Sequence, residues 1–303
     1  MAWFFIVLFG ALLYACTNHI DKYLISRYLQ DGRVGALIIF SSIFSIFALP
    51  IIALIYHEVL NVSLVDGAIL AFNGILVVLA ILCYFYAIKR DEASVVVPFY
   101  QTIPIFGFVL GYIILGEVIT AQQMIAALLI IIGALILSLR LDAGRISFKK
   151  AVVFFMLVAS LFYAINGVIF KLIALDIGFW PSIFWGLVGK VIVGCFFLFF
   201  IRQYRDQFFT MIRKNRVAIL SINSSNETIS IIAEGVTQYA LLLAPVVLVL
   251  LVGSFQPLFV FLIGIILTLF FPYLGRESIV NKDIIQRILG IVLVVLGSYF
   301  IFK

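Results

Sequence analysis

The sequence predicts an all-α integral membrane protein of ten transmembrane helices arranged as two inverted five-helix repeats, and two observations carry this prediction. Apolar residues make up 65% of the 303 residues and charged residues only 11%, with a mean hydropathy of +1.28. A soluble core of this length could not bury so much apolar surface, so lipid must be the solvent for most of the chain. The second observation is that many positions of the first half recur in the second half, at spacings that rise from 149 to 164 residues along the chain.

Ten stretches of about 20 mainly apolar residues, the length that crosses the hydrocarbon core, follow one another along the chain. They are 2–19, 34–56, 67–88, 93–116, 119–139, 151–174, 180–201, 217–241, 243–271 and 283–302. Five fall within 1–140 and five within 150–303, and 141–149 forms the linker between the two repeats. Because five is an odd number, the halves enter the membrane with opposite orientation, which defines an inverted repeat.

Matching residues in the two halves define the repeat. Leu12, Tyr14, Ala15, Ile20 and Lys22 recur 149 residues later as Leu161, Tyr163, Ala164, Ile169 and Lys171. Asn73, Tyr86, Ala87, Pro104, Phe106 and Gly111 recur 153 residues later as Asn226, Tyr239, Ala240, Pro257, Phe259 and Gly264. Many secondary transporters consist of such duplicated hydrophobic segments, with the substrate site between the repeats.

The basic residues indicate how the helices are oriented. Seventeen of the twenty Lys and Arg residues lie in loops opposite the termini. Because basic loops remain in the cytoplasm, both termini are predicted to lie outside it, with the protein a multi-pass component of the cell inner or plasma membrane. The first stretch has no positively charged leader and recurs in the second half, so we expect a helix and not a cleaved signal peptide.

Three groups of residues resemble a known family. They are Leu13-Tyr14-Ala15-Cys16-Thr17-Asn18 with Lys22, then Tyr86-Ala87, Glu92-Ala93-Ser94, Pro98, Pro104 and Leu115-Gly116-Glu117, and finally Tyr239-Ala240, Ala244-Pro245, Gln256-Pro257 and Leu274-Gly275-Arg276-Glu277. In these residues the chain resembles the drug/metabolite transporter superfamily, of the ten-helix EamA type, over nearly its whole length. The resemblance implies transport of an amino acid, a sugar, a nucleotide conjugate or a drug, without indicating which.

Three charged residues lie deep within the apolar stretches, namely Lys190, Glu227 and Glu234. A charge in the hydrocarbon costs about 2.5–3.5 kcal/mol on insertion scales, so all three should face a shared interior. One interpretation is a structural ion pair between Lys190 and one glutamate. Because one lysine cannot neutralise two carboxylates, the other interpretation makes Glu227 or Glu234 a group sensitive to protons or substrate.

Polar residues around these charges are further candidates for substrate binding. Asn226 lies in a polar run of the eighth stretch and has Asn73 as its repeat counterpart. Amides both donate and accept hydrogen bonds, which suits a zwitterion, sugar or amide substrate, although they also connect packed helices. Gln101 in the fourth stretch, with Ser254 and Gln256 in the ninth, is expected to face the same region.

Prolines predict gates in the fourth and ninth stretches. Pro104 and Pro257 correspond to each other, whereas Pro98 has Leu251 as its counterpart. A proline frees the carbonyl four residues before it and kinks the helix, which serves either a gate or simple packing.

Tyrosines recur in both halves and offer aromatic faces with a polar tip. Tyr14 corresponds to Tyr163, and Tyr86 to Tyr239. They could line a cavity or form a cage for a cation, or they could belong to the lipid belt and the core. A central cavity is expected between the first, third, fourth, sixth, eighth and ninth stretches.

We therefore predict a secondary transporter that moves a small polar or amphipathic metabolite by alternating access, with proton coupling as a hypothesis. The alternatives are a flippase for a lipid-linked substrate with the same fold, and a channel. The expected partners are a small-molecule substrate, protons and the lipid bilayer, and the chain is expected to be a monomer or homodimer. The sequence has no nucleophile–base pair, metal-ligand spacing or nucleotide motif. We therefore predict no enzyme activity, metal, cofactor or nucleic-acid partner.

Overall fold

The computed structural model describes residues 1–28, 34–88, 90, 96–138, 149–214, 216–271 and 281–301, and every regular element among them is helical. The α-helices are α1 Ala2–Tyr28, α2 Val34–Phe44, α3 Ala48–Ile55, α4 Leu64–Ile88, α5 Ile103–Leu115, α6 Ala121–Ser138, α7 Lys150–Ile177, α8 Phe179–Phe200, α9 Arg202–Lys214, α10 Arg216–Leu241, α11 Val246–Gly253, α12 Gln256–Phe270 and α13 Asn281–Ile301. Short 3-10 helices occupy Ser45–Phe47, His57–Leu60 and Val97–Thr102. The predicted linker lies outside the described residues except for Lys149.

Six helical segments of the described chain are long and apolar enough to cross a membrane. They are Ala2–Leu24, Gly35–Ile55, Leu64–Ala87, Lys150–Ile177, Phe179–Phe200 and Val246–Phe270. Three shorter apolar segments, Phe99–Leu115, Ala121–Leu137 and Ile288–Ile301, coincide with three further predicted stretches. The polar helix α10, with 26 residues, belongs to neither group. The all-helical membrane class is confirmed, and ten crossings in two repeats stays a prediction.

Helices from the two halves of the chain pack against each other in corresponding pairs. α1 packs along α10, α4 packs along α7, and α6 packs along α13. The predicted repeat equates α1 with α7 and α4 with α10, so the first two contacts are equivalent. The third is very close, because a Cβ atom on Gly133 would lie 2.7 Å from the Gly290 carbonyl oxygen. The core therefore lies between the two halves.

Both repeated prolines lie at the start of a helix and do not kink the middle of one. Pro104 lies in the first turn of α5, directly after the 3-10 helix that contains Pro98, and Pro257 lies in the first turn of α12. Proline suits this position because the first turn needs no amide hydrogen. The Tyr100 carbonyl, which Pro104 was expected to free, accepts a hydrogen bond from the Ile103 amide. The fourth and ninth stretches are consequently broken helices.

Helix α9 occupies a segment that the sequence analysis assigned to a loop. Its Phe208 and Met211 pack against Phe40 of α2, and Tyr204 packs against Phe197 of α8. Arg202 on its outer side is 86% exposed. Thirteen residues are too short to cross the hydrocarbon, and the helix is stable because its apolar side has α2 as a partner.

Candidate functional site

A cavity lies between α4, α7, α8 and α10, with about 370 Å³ of space that includes its opening. Its wall consists of Asn73, Gly74, Asn166, Phe170, Ser182, Ile183, Gly186, Leu187, Ile231, Glu234, Gly235 and Gln238. These helices correspond to the third, sixth, seventh and eighth predicted stretches. Of the six stretches expected to line a central cavity, the third, sixth and eighth line this space, and the seventh, which was not among them, also lines it.

Glycines explain why α8 forms one wall of the cavity. A Cβ atom on Gly189 would lie 1.8 Å from the Ala71 carbonyl oxygen, and one on Gly74 would lie 2.0 Å from the Gly186 carbonyl oxygen. The backbones of α4 and α8 therefore touch, as small residues allow in membrane helices. Cβ positions on Gly186 and Gly235 meet no atom within 4 Å, so the missing side chains leave open space.

Three amide side chains form a network in the cavity wall. Asn73 Nδ2 donates to the Asn166 carbonyl oxygen at 3.0 Å, and Gln238 Nε2 donates to Asn166 Oδ1 at 2.8 Å. Asn73 Oδ1 and Gln238 Oε1 are buried and have no hydrogen-bond partner within the described part of the chain. Because buried polar atoms are normally paired, these two oxygens are available to a bound molecule or to water.

An ion pair between Lys190 of α8 and Glu234 of α10 lies beside this network. The side chains are 14% and 19% exposed, and Glu234 is part of the cavity wall. Tyr14 of α1 and Tyr163 of α7 lie near enough to Glu234 to interact with its charge. The structure thus selects Glu234 as the glutamate that pairs with Lys190.

Glu227 lies on α10 outside the cavity wall, and 8% of the residue is exposed. Ser41 Oγ of α2 donates a hydrogen bond to Glu227 Oε2 at 2.7 Å. The adjacent Asn226 donates through Nδ2 to Asp21 Oδ1 of α1, also at 2.7 Å. Glu227 therefore has a neutral donor as its hydrogen-bond partner, whereas Glu234 has a cation.

The repeat equates two contacts that differ in chemistry. Ser41 corresponds to Lys190 and Glu227 to Gly74 in the two halves. Ser41 contacts Glu227, and a Cβ atom on Gly74 would lie 3.2 Å from the Lys190 amide nitrogen. The same crossing of helices is thus a close backbone contact in one half and a buried hydrogen bond to a carboxylate in the other.

The predicted residues of the broken helices lie apart from the cavity wall. Gln101 is buried, and its Oε1 has no hydrogen-bond partner among the described residues. Ser254 Oγ donates to the Leu250 carbonyl oxygen at 3.4 Å, within its own turn. Gln256 begins α12. Their roles, with those of Pro98, Pro104 and Pro257, stay predictions.

The four predicted tyrosines fall into two groups. Tyr14 and Tyr163 are half-buried near Glu234. Tyr86 is 39% exposed, stacks on Phe155 and has its hydroxyl 3.5 Å from that of Tyr204. Tyr239 is 45% exposed and contacts Phe179. The repeat related Tyr14 to Tyr163 and Tyr86 to Tyr239; the first pair lies near Glu234, and none of the four is part of the cavity wall.

Burial and the hydrogen bond to Tyr86 raise the pKa of Tyr204 to about 12, with burial the larger cause. Tyr204 therefore stays neutral at physiological pH and acts as a hydrogen-bonding group of α9.

A second buried ion pair was missed by the sequence analysis. Lys171 Nζ lies 2.6 Å from Glu117 Oε1, and each side chain is 12% exposed. Lys171 also donates to the Ala244 carbonyl oxygen at 2.7 Å, and the Val246 amide donates to Glu117 Oε2 at 2.7 Å. The pair joins the two halves where α11 begins. In the sequence, the features that involve these two residues were the Lys22–Lys171 repeat and the Leu115-Gly116-Glu117 motif, and neither indicates an ion pair.

Asp21, Ser41, Asn166 and Gln238 were also absent from the predicted site. Each lies in or beside an apolar stretch that contains other polar residues or leads into them. A pattern search does not separate such residues from ordinary contacts between helices. Only their partners on other helices reveal their part in the site.

Six long apolar helices and a polar cavity between two halves of the chain define an integral multi-pass membrane protein. Residues 1–139 match the family model of the EamA-like transporter family. The resemblance to the drug/metabolite transporter superfamily is thereby confirmed over residues 1–139.

Two further comparisons carry no function. An uncharacterized protein of Methanocaldococcus jannaschii is 37% identical over 82 residues, which cover 26% of this chain and 60% of that protein. The chain thus spans 60% of the length of this relative. A solved structure, described only as a crystal structure of a protein, covers 99% of this chain and 95% of its own with a TM-score of 0.66 at 13% identity. It shows the fold alone.

Proposed function

We propose that the chain is a secondary carrier that moves a small polar or amphipathic metabolite by alternating access of two inverted five-helix repeats, 1–140 and 150–303. The polar cavity carries this proposal, because both halves supply its wall. Asn73 and Gly74 come from the first half, and Asn166, Glu234 and Gln238 come from the second. A site between repeats can open to either side when one repeat rocks against the other.

Unequal packing of equivalent helices supports this mechanism. Helix α8 packs closely on α4, whereas their repeat counterparts α2 and α10 contact each other only lightly. Two identical halves would make both contacts alike in a symmetric state. In a carrier that is open to one side of the membrane, one of the two equivalent contacts is closed and the other is open. When the carrier opens to the other side, the open contact closes and the closed contact opens.

Within this proposal Glu227 is the proton-sensitive group. It is buried, it accepts a hydrogen bond from Ser41, and it belongs to the lightly packed contact between α2 and α10. The charged groups near enough to interact with it are Asp21 of α1, Lys190 of α8 and Glu234 of its own helix. Because Lys190 is paired with Glu234, protonation is the simplest way to neutralise Glu227.

The test is uptake of a metabolite panel into proteoliposomes, with and without a pH gradient. We expect saturable uptake of at least one metabolite, and a Glu227→Gln variant whose uptake no longer responds to the gradient. Glu58→Gln changes an exposed carboxylate in the same way and should behave as the unmodified chain. An unchanged pH response in Glu227→Gln would remove the proton role, and the absence of saturable uptake would remove the carrier function.

The alternative function is a flippase for a lipid-linked substrate, and the same vesicles test it. Movement of a fluorescent lipid between leaflets, without uptake of any soluble metabolite, would favour the flippase. A reporter fused to Lys303, active only outside the cytoplasm, would support the proposed orientation of the termini.

A further inference from the structure

We infer that the substrate of this cavity presents an ammonium group, so that its class is the small protonated amines. The inference rests on the proposed carrier function, because it takes the cavity as the substrate site. It follows from three properties of the wall and its surroundings, namely acceptors without partners, an excess of carboxylates, and aromatic rings near Glu234.

The first property is that the amide network leaves two buried acceptor oxygens, Asn73 Oδ1 and Gln238 Oε1, for the ligand. Asn73 Nδ2 donates to a backbone carbonyl, which can only accept, so the remaining atom of this amide must be the acceptor Oδ1. Gln238 and Asn166 could exchange their donor and acceptor atoms, but Asn73 could not. An ammonium group supplies three donors, whereas a carboxylate supplies none.

The second property is the sign of the charge between the halves. Asp21, Glu227 and Glu234 are half-buried or buried among α1, α2, α8 and α10, and Lys190 is the cation that faces them. Even with Glu227 protonated, the two carboxylates of Asp21 and Glu234 outnumber the single ammonium group of Lys190. In a region with little water such an excess attracts cations and opposes anions.

The third property is a group of tyrosines beside Glu234. Tyr14 and Tyr163 interact with its charge. The rings of Tyr163 and Tyr100 have centroids 6.0 Å apart, and those of Tyr100 and Tyr84 have centroids 5.5 Å apart. Aromatic faces attract ammonium groups, and a carboxylate next to them completes a site for a cation.

The size of the cavity limits the ligand. The enclosed part of the cavity is small, with space on the order of one water molecule, so it suits the ammonium head group of a ligand and not a whole drug-sized molecule. Three probes of equal chain length separate charge from shape, namely n-butylammonium, n-butanol and butyrate.

The experiment measures the melting midpoint of the purified full chain in detergent at neutral pH, as a function of probe concentration and at constant ionic strength. We expect n-butylammonium to raise the midpoint saturably and the other two probes to leave it unchanged. A ligand that binds only the folded state stabilises it in proportion to the logarithm of its concentration, so the titration gives a Kd.

Glu234→Gln should weaken n-butylammonium binding by about tenfold or more, since it removes a charge-assisted hydrogen bond. Glu58→Gln, an exposed carboxylate far along the sequence from α10, should leave the Kd unchanged. Because Glu234→Gln alone leaves Lys190 without its partner, the double variant Lys190→Gln/Glu234→Gln is also measured. It removes both charges, and it should fold but no longer prefer n-butylammonium to n-butanol.

Each opposite result overturns the inference: butyrate or n-butanol binding as tightly as n-butylammonium, no saturable effect of n-butylammonium, or an unchanged preference in both variants. The outcomes also separate this inference from the carrier function. Saturable uptake restricted to metabolites without an ammonium group would keep the carrier and overturn the inference. Binding of n-butylammonium by a chain that transports no solute would keep the inference about the ligand and overturn the carrier function.

Discussion

Replacing Glu117 should test the strongest connection that the structure shows between the two halves of the chain. Glu117 accepts hydrogen bonds from Lys171 Nζ at 2.6 Å and from the Val246 amide at 2.7 Å, and its side chain is 12% exposed. Removing one partner of a buried ion pair costs about 3–5 kcal/mol, because the other charge remains buried and unpaired. Glu117→Ala should therefore lower the free energy of unfolding by about 3 kcal/mol or more.

Glutamine at this position should be less harmful. Glu117→Gln keeps one acceptor oxygen for the Val246 amide or for Lys171, so that its cost falls to about 1.5–3 kcal/mol, the value of a hydrogen bond to a charged group. Lys171→Gln should cost a similar amount, because it leaves Glu117 unpaired while the Val246 amide still donates to it.

Equilibrium unfolding in mixed detergent micelles with a rising fraction of dodecyl sulfate measures these changes. In a double-mutant cycle, the double variant Glu117→Gln/Lys171→Gln has no unpaired charge. Its loss in free energy of unfolding should therefore be smaller than the sum of the two single losses, by about 1 kcal/mol or more. Additivity within about 0.5 kcal/mol would refute the ion pair, as would a Glu117→Ala variant no less stable than Glu58→Ala.

Two of the three further predictions use the same unfolding assay, and the third uses the uptake assay. Gly189→Ala should lower the free energy of unfolding by about 1–3 kcal/mol or more, since its Cβ atom would lie 1.8 Å from the Ala71 carbonyl oxygen. Gly186→Ala on the same helix is the control: its Cβ atom meets no atom within 4 Å, so its effect on stability should be close to zero. Equal losses in the two variants would contradict the close crossing of α4 and α8. Asp206→Asn, which removes the exposed pair with Arg202, should change stability by less than about 0.5 kcal/mol, and a larger loss would show that α9 depends on this pair. Ser41→Ala should alter the pH response of uptake in the same direction for every metabolite transported, because Ser41 is the hydrogen-bond donor to Glu227. A change that differs from one metabolite to another would place Ser41 in the substrate site instead.

The helices of this protein could be predicted because their signal is local. A stretch such as 151–174 is apolar throughout, so lipid fixes it as a helix whatever its neighbours are, and α7 spans Lys150–Ile177. The prediction failed where the outcome depends on a partner. Arg202–Lys214 is polar enough to suggest a loop, yet it is helical because its apolar side packs against α2.

The candidate site was predictable in part for the same reason. Lys190, Glu227 and Glu234 were selected because a charge in hydrocarbon is costly wherever it lies, and all three are partly or fully buried. Their partners could not be selected in that way. Ser41, Asn166 and Gln238 are neutral and inexpensive to bury when hydrogen-bonded, so nothing in the sequence separates them from other polar residues.

The membrane class, the positions of the apolar helices and the presence of charged residues inside them could be read from the sequence alone, since each follows from the composition of a short segment. Which charges meet depends on the packing of the helices. This packing paired Lys190 with Glu234, gave Glu227 a neutral donor, and joined Glu117 to Lys171 across 54 positions of the chain. The physical reason is that pairing depends on how closely backbones approach, and at Gly74 and Gly189 the absence of a side chain lets α8 cross α4 and form the cavity wall.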